Sequence, residues 1–81
     1  MNVTVQFFSY FKDLTGCDRF TASVPSGATI GDLMGVIHKE FPKLEPMRKS
    51  TLVAVGVDYQ DRAYVLKEGD QVSLFPPVQG G

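Results

Sequence analysis

The stretch Thr29-Ile30-Gly31-Asp32-Leu33-Met34-Gly35-Val36-Ile37-His38-Lys39-Glu40-Phe41-Pro42 decides how this chain folds. Ile30, Leu33, Met34, Ile37 and Phe41 recur at spacings of three and four, which lines them along one stripe of a helix. Thr29 stands ready as N-cap, and the Asp32 carboxylate lies where it complements the positive helix end. Pro42 stops the helix, because the residue before a proline is disfavoured in helical backbone. Gly31 and Gly35 each weaken it by roughly 1 kcal/mol relative to Ala. Packing must therefore hold this helix, and no second stretch carries the same long period.

On either side of the helix the period drops to two. Val3, Val5 and Phe7 fall on one face of a strand, with Asn2, Thr4, Gln6 and Phe8 on the other. The alternation fails from Ser9 to Thr15, where one helical turn over Phe11 and Leu14 is possible before Gly16. Phe20, Ala22 and Val24 then alternate with Arg19, Thr21 and Ser23, and Pro25-Ser26-Gly27 closes this second strand. Beyond the helix, Lys43 to Ser50 reads as a polar loop and Leu52 to Val57 as a buried strand with a turn at Gly56-Val57-Asp58. A weak strand is expected over Arg62 to Val65. A turn at Glu68-Gly69-Asp70 leads into a last strand, Gln71 to Phe75.

The order ββαβββ predicts an α+β fold with one main helix packed across a mixed sheet. If the first and last strands lie parallel at the sheet centre, the helix supplies the long crossover between the sheet halves. That arrangement is the ubiquitin-like β-grasp roll, which the sequence permits. Residues 1–75 form the expected domain and residues 76–81 an extended, flexible C-terminal tail.

Composition narrows the chemistry. Eighty-one residues suffice for one small core and leave little for a pocket. Eight Lys and Arg stand against nine Asp and Glu, which argues against a nucleic-acid surface. One His (His38) and one Cys (Cys17) cannot build a four-ligand His/Cys metal cage, so no metal site is expected. An inert thiol is the expected role of Cys17, and a surface or half-buried place that of His38. No apolar run reaches the roughly 20 residues of a membrane span, and Met1 to Val5 lacks the pattern of a signal peptide. The expectation is a cytoplasmic domain whose function faces a partner.

The tail carries the chemistry. Pro76 and Pro77 lack amide hydrogens, so the sheet must end at Phe75. In a polyproline-like path, Pro76, Pro77, Val78, Gln79, Gly80 and Gly81 reach on the order of 18 Å from the sheet. Gly80 and Gly81 have no side chains, so this end could enter a channel too narrow for any Cβ. The α-carboxylate of Gly81 is ionised at neutral pH, with a reference pKa of roughly 3.5. It can attack the α-phosphate of ATP to give an acyl-adenylate, from which a sulfur nucleophile displaces AMP. A Gly-Gly end can also be a frayed terminus or a cloning scar. Phe8 and Phe75 both fall on the polar faces of their strands, so in a β-grasp sheet the two rings sit together at the root of the tail. Such a pair is either a protein interface or partly covered by the Tyr10-to-Gly16 turn.

These features resemble the small, sulfur-carrying subunits of molybdopterin synthases, members of the ubiquitin-like sulfur carriers. The specific part is Asp70-Gln71-Val72-Ser73-Leu74-Phe75-Pro76-Pro77-Val78-Gln79-Gly80-Gly81. Val3-Thr4-Val5-Gln6-Phe7-Phe8, Lys12-Asp13-Leu14 and Ala28-Thr29-Ile30-Gly31-Asp32-Leu33 are similar to the family's first strand, first turn and helix start. Gly56 stands where many relatives carry Asn. The resemblance implies a carrier that is not catalytic alone. An ATP-dependent adenylating enzyme would form a transient glycyl adenylate at Gly81, and a sulfur donor system would convert it to 1-thioglycine, with no cofactor bound. The large catalytic subunit would then receive the tail in a heterotetramer and pass sulfur to cyclic pyranopterin monophosphate, building molybdenum cofactor. Phe8, Phe75, Lys12 and Tyr59 are the interface residues it implies. A sulfur carrier for thiamine or another thiolation pathway, or a modifier joined through Gly81 to lysine, are the alternatives.

Overall fold

The computed structural model describes residues 1–77. Its elements are β1 (Asn2–Phe7), α1 (Phe11–Thr15), β2 (Arg19–Ser23), α2 (Ile30–Glu40), a 3-10 helix (Pro42–Met47), β3 (Leu52–Val55), β4 (Asp58–Tyr59) and β5 (Gln71–Phe75). The five strands form one sheet in the order β2-β1-β5-β3-β4. β1 and β5 pair in parallel at the centre, with Val5 beside Val72 and Phe7 beside Leu74. The other pairings are antiparallel, so the mixed sheet of the β-grasp fold is present.

The expected helix forms, and its start is a full capping box. The Asp32 N–H donates to Thr29 Oγ1 at 3.2 Å, while the Thr29 N–H donates to Asp32 Oδ2 at 3.0 Å. Two of the orphan amides at the helix entrance are thereby satisfied. The apolar stripe Ile30, Leu33, Met34 and Ile37 is fully buried against Val3, Val5, Phe7, Val53, Val72 and Leu74 of the sheet. Phe41 closes one end of this core, its ring edge-on to Phe7 and to Phe20 at 5.2 Å each. The single turn expected over Phe11 and Leu14 is α1, which buries Phe11 and ends at Gly16 with φ 77°.

Two expectations are corrected. The fourth strand is Asp58–Tyr59, and the weak strand expected over Arg62 to Val65 does not form. Gly56 and Val57 make a tight connection with positive φ at Gly56 alone, so pairing resumes at once with Asp58 opposite Val55. The Asp61 carboxylate then accepts the Ala63 N–H at 2.8 Å and bends the chain away. Tyr64 and Arg62 instead offer their carbonyls to the Ile30 and Gly31 amides at 3.0 and 2.9 Å, and Val65 bridges Thr29. This segment seals the start of α2. Lys43 to Ser50, read as a loop, is largely the 3-10 helix, because Pro42 is pre-set for its first turn and Leu44 is buried beneath it.

Candidate functional site: an aromatic patch at the root of the tail

Period-2 alternation gives the sheet two unlike faces. The face away from α2 is polar at one end, where Thr4, Gln6, Arg19, Thr21 and Gln71 line a shallow depression. At the other end, where β5 runs out into Pro76 and Pro77, it turns aromatic. Phe8 continues β1 beyond its last ladder residue, its N–H donating to the Leu74 carbonyl at 3.1 Å. Its ring stacks on Phe75, centroids 4.6 Å apart and planes 18° from parallel. Tyr59 meets Phe75 from the far side at 6.2 Å and 62°. Offset and edge-on contacts of this kind add about 0.5–1.5 kcal/mol each beyond simple burial.

The register explains the cluster. β3 runs antiparallel to β5 with Leu52 opposite Phe75 and Ala54 opposite Ser73, and β4 sets Tyr59 opposite Ala54. Leu52 and Tyr59 therefore share the face that carries Phe75. Leu52 is 37 % exposed and Tyr59 69 %, while Phe8 and Phe75 are half-buried by each other and their neighbours. Ser9, at φ 57°, is the only non-glycine among the described residues in left-handed backbone. It turns the chain from β1 into α1 directly after Phe8.

Of the expected interface residues, the structure brings Phe8, Phe75 and Tyr59 together. Lys12 is exposed on α1, without a side-chain hydrogen bond or ion pair among the described residues. Pro76 and Pro77 leave β5 half-exposed and outside any regular element. Val78, Gln79, Gly80 and Gly81 lie outside the described residues. Leu52 was not singled out by the sequence reading. Its alternation with Val53 and its place opposite Phe75 were the available signals, but the second needs the β3–β5 register.

His38 departs from the expected surface or half-buried place: it is 6 % exposed. The 3-10 helix folds back over the end of α2 and covers it. Neither ring nitrogen has a hydrogen-bond partner among the described residues, and Nδ1 lies 3.5 Å from Glu45 Oε2. Burial, the strongest influence, pushes the His38 pKa below 6.5. Glu45 opposes that shift, while Arg48 and Arg62 add to it. His38 is therefore neutral at pH 7, and its approach to Glu45 is not an ion pair there. Cys17 is half-buried, with Sγ 3.8 Å from Thr15 Oγ1. Among the described residues no three His, Cys, Asp or Glu side chains gather as metal ligands, and no helix is long and apolar enough to cross a membrane.

Comparison with known proteins agrees with this geometry. The ThiS family model matches residues 5–81. A molybdopterin synthase sulfur carrier subunit from Chlamydomonas reinhardtii is 31% identical over 84 residues, covering 100% of both chains. A chain of the complex of subunits 1 and 2 of the molybdopterin-converting factor from Helicobacter pylori superposes with a TM-score of 0.72 at 29% identity, with 100% of each chain covered. SAMP1 from Haloferax volcanii shares the fold, with a TM-score of 0.89 at 22% identity over 100% of each chain. The family match over nearly the whole chain and the full-length relative together establish that this chain belongs to the ThiS family, alongside molybdopterin synthase sulfur carrier subunits.

Proposed function

We propose that this protein is the sulfur carrier of molybdenum cofactor biosynthesis, delivering sulfur from the C-terminal carboxyl of Gly81. The observation that carries this reading is the stacked Phe8–Phe75 pair flanked by Tyr59 and Leu52, at the point where Pro76-Pro77 leads toward Gly80-Gly81. An exposed aromatic patch beside an extended tail is a means of docking a partner while the chain end enters that partner's site. Relatives named as molybdopterin synthase sulfur carrier subunits, and the subunit 1–subunit 2 complex from Helicobacter pylori, support the large synthase subunit as that partner.

The chemistry follows from the carboxylate. A Gly81 oxygen attacks the α-phosphate of ATP within an adenylating enzyme, and pyrophosphate leaves. A sulfur nucleophile from a donor system attacks the acyl carbon of the glycyl adenylate, and AMP departs with the bonding pair. With sulfide as that nucleophile the product is a thiocarboxylate, 1-thioglycine at position 81. Its sulfur bonds to a carbon of cyclic pyranopterin monophosphate in the large subunit, and water then cleaves the acyl C–S bond and restores the Gly81 carboxylate. Two such deliveries build one dithiolene. The carrier's own part is to bind, to present a side-chain-free end, and to let go. Phe8, Phe75 and Tyr59 are the proposed docking residues, with Lys12 a separate contact from α1.

Deleting Gly81 tests this reading. The truncated protein should keep its thermal stability and its affinity for the large subunit, yet form no molybdopterin in a reconstituted synthase assay. Sulfur delivery by the truncated chain would refute the assignment.

A further inference from the structure

A second part of the surface gathers an excess of positive charge. Arg48, Lys49 and Arg62, with Asp61, line a shallow open cavity. The chain path sets it at the same end of the sheet as the tail. Lys49 comes shortly before Leu52, which pairs with Phe75, and Asp61 and Arg62 follow Tyr59 across Gln60, whose N–H donates to the Val53 carbonyl at 3.0 Å. Arg62 is held in place, with Nη2 donating to the carbonyls of Arg48 at 2.8 Å and Thr51 at 3.0 Å. Carbonyls satisfy its hydrogens without cancelling its charge. Asp61, which accepts the Ala63 N–H, keeps its negative charge, so three cations stand against one carboxylate around the cavity. Arg48 has only an exposed contact with Glu45 at 3.6 Å, a kind of pair that contributes little. Lys49 is exposed and has no ion-pair partner among the described residues.

We propose that this cavity is a second docking site, which receives a carboxylate-rich segment of the protein that takes up the tail. The proposal rests on the carrier reading above. The cavity is open and shallow, whereas a small-molecule site encloses most of its ligand, so the side chains of a partner's surface loop suit it. One anchored guanidinium, Arg62, and two exposed cations, Arg48 and Lys49, at the same end of the sheet as the tail steer an acidic partner and make its association depend on salt. The aromatic patch then supplies contact area, and the cavity supplies orientation.

His38 reports on the cavity from behind. The charged groups facing it are Glu45 and Arg48 from the 3-10 helix and Arg62 from the segment that seals α2. A carboxylate bound among Arg48, Lys49 and Arg62 offsets the two guanidiniums that help hold His38 neutral, so its titration midpoint should rise.

The test titrates an oligoglutamate peptide into the isotopically labelled full chain, followed by NMR. Amide shifts should concentrate at residues 48–50 and 60–63, the His38 midpoint should move up, and both effects should vanish in the doubly substituted Arg48→Gln, Lys49→Gln protein. Absent or scattered shifts would overturn the proposal. Localised shifts with inorganic phosphate and none with the peptide would also overturn it, in favour of a phosphate site. In a second arm, the same double variant should associate with the large synthase subunit about 10-fold more slowly at low salt, and equally fast at about 0.5 M salt. Phe75→Ala should weaken binding at both. A wild-type rate for the double variant beside a weakened Phe75→Ala would refute the cavity and leave the carrier reading intact. Wild-type binding by Phe75→Ala would strike the carrier interface, and the peptide titration would still decide the cavity.

Discussion

The two faces of the central strand pair are built from the same alternation and serve opposite ends. Toward α2, Val3, Val5, Phe7, Val72 and Leu74 are at most 1 % exposed and close the core. Away from it, Gln6 and Ser73 give way to Phe8 and Phe75 at the tail, where Phe75 stacks on Phe8 and meets Tyr59 edge-on. One face is finished within the chain. The other is polar over most of its area and apolar at one corner, which is how a domain keeps an interface without becoming prone to aggregate.

That contrast can be broken by substitution. Leu74→Ala, on the finished face, should lower unfolding free energy by about 2–5 kcal/mol in chemical denaturation, because its side chain is fully buried and the core cannot collapse onto the cavity. Phe75→Ala, one residue later, should lower stability by only about 1 kcal/mol through the lost stacking. Its larger effect should be on affinity for the large synthase subunit, a loss of about 1–3 kcal/mol by calorimetric titration. Equal stability losses at the two positions would show that the aromatic corner is core.

His38 and Gly35 sharpen the same contrast from the packed side. The folded protein holds the His38 pKa below its ordinary 6.5, so the unfolded chain binds more protons as pH falls. Stability should therefore be flat with respect to this group above the ordinary value and decline as pH drops from 6.5 through the folded pKa. Denaturation midpoints read across that window should show the decline in the native protein, and His38→Leu should flatten it. Gly35 has open space where a Cβ would stand, so Gly35→Ala should raise stability by about 0.5–1 kcal/mol without altering partner affinity.

Much of this was legible in the sequence because local periods agreed with the final packing. The 3-4 stripe of α2 and the alternation of β1 and β5 each name a buried face that the structure keeps. The Phe8–Phe75 contact was also readable, because parallel pairing of those strands brings their ends together. What escaped depended on contacts distant in sequence. The fourth strand was misplaced because Gly56-Val57 makes a two-residue turn and Asp61 then redirects the chain onto α2. His38 lies beside the apolar stripe and is buried where the 3-10 helix returns against α2, bringing Glu45 to 3.5 Å from its ring. Leu52 joins the patch through the β3–β5 register, and the Arg48–Arg62 cavity joins segments that no local pattern links.

The central claim is that this domain exists to present a reactive chain end. It is tested most directly by the intact mass of the protein after incubation with ATP, an adenylating enzyme of this pathway and a sulfur source. The account predicts a gain equal to replacing one oxygen by sulfur, lost when Gly81 is deleted and retained in Phe8→Ala protein driven at high enzyme concentration. An unchanged mass, under conditions that thiolate a relative such as the Chlamydomonas reinhardtii carrier, would contradict it.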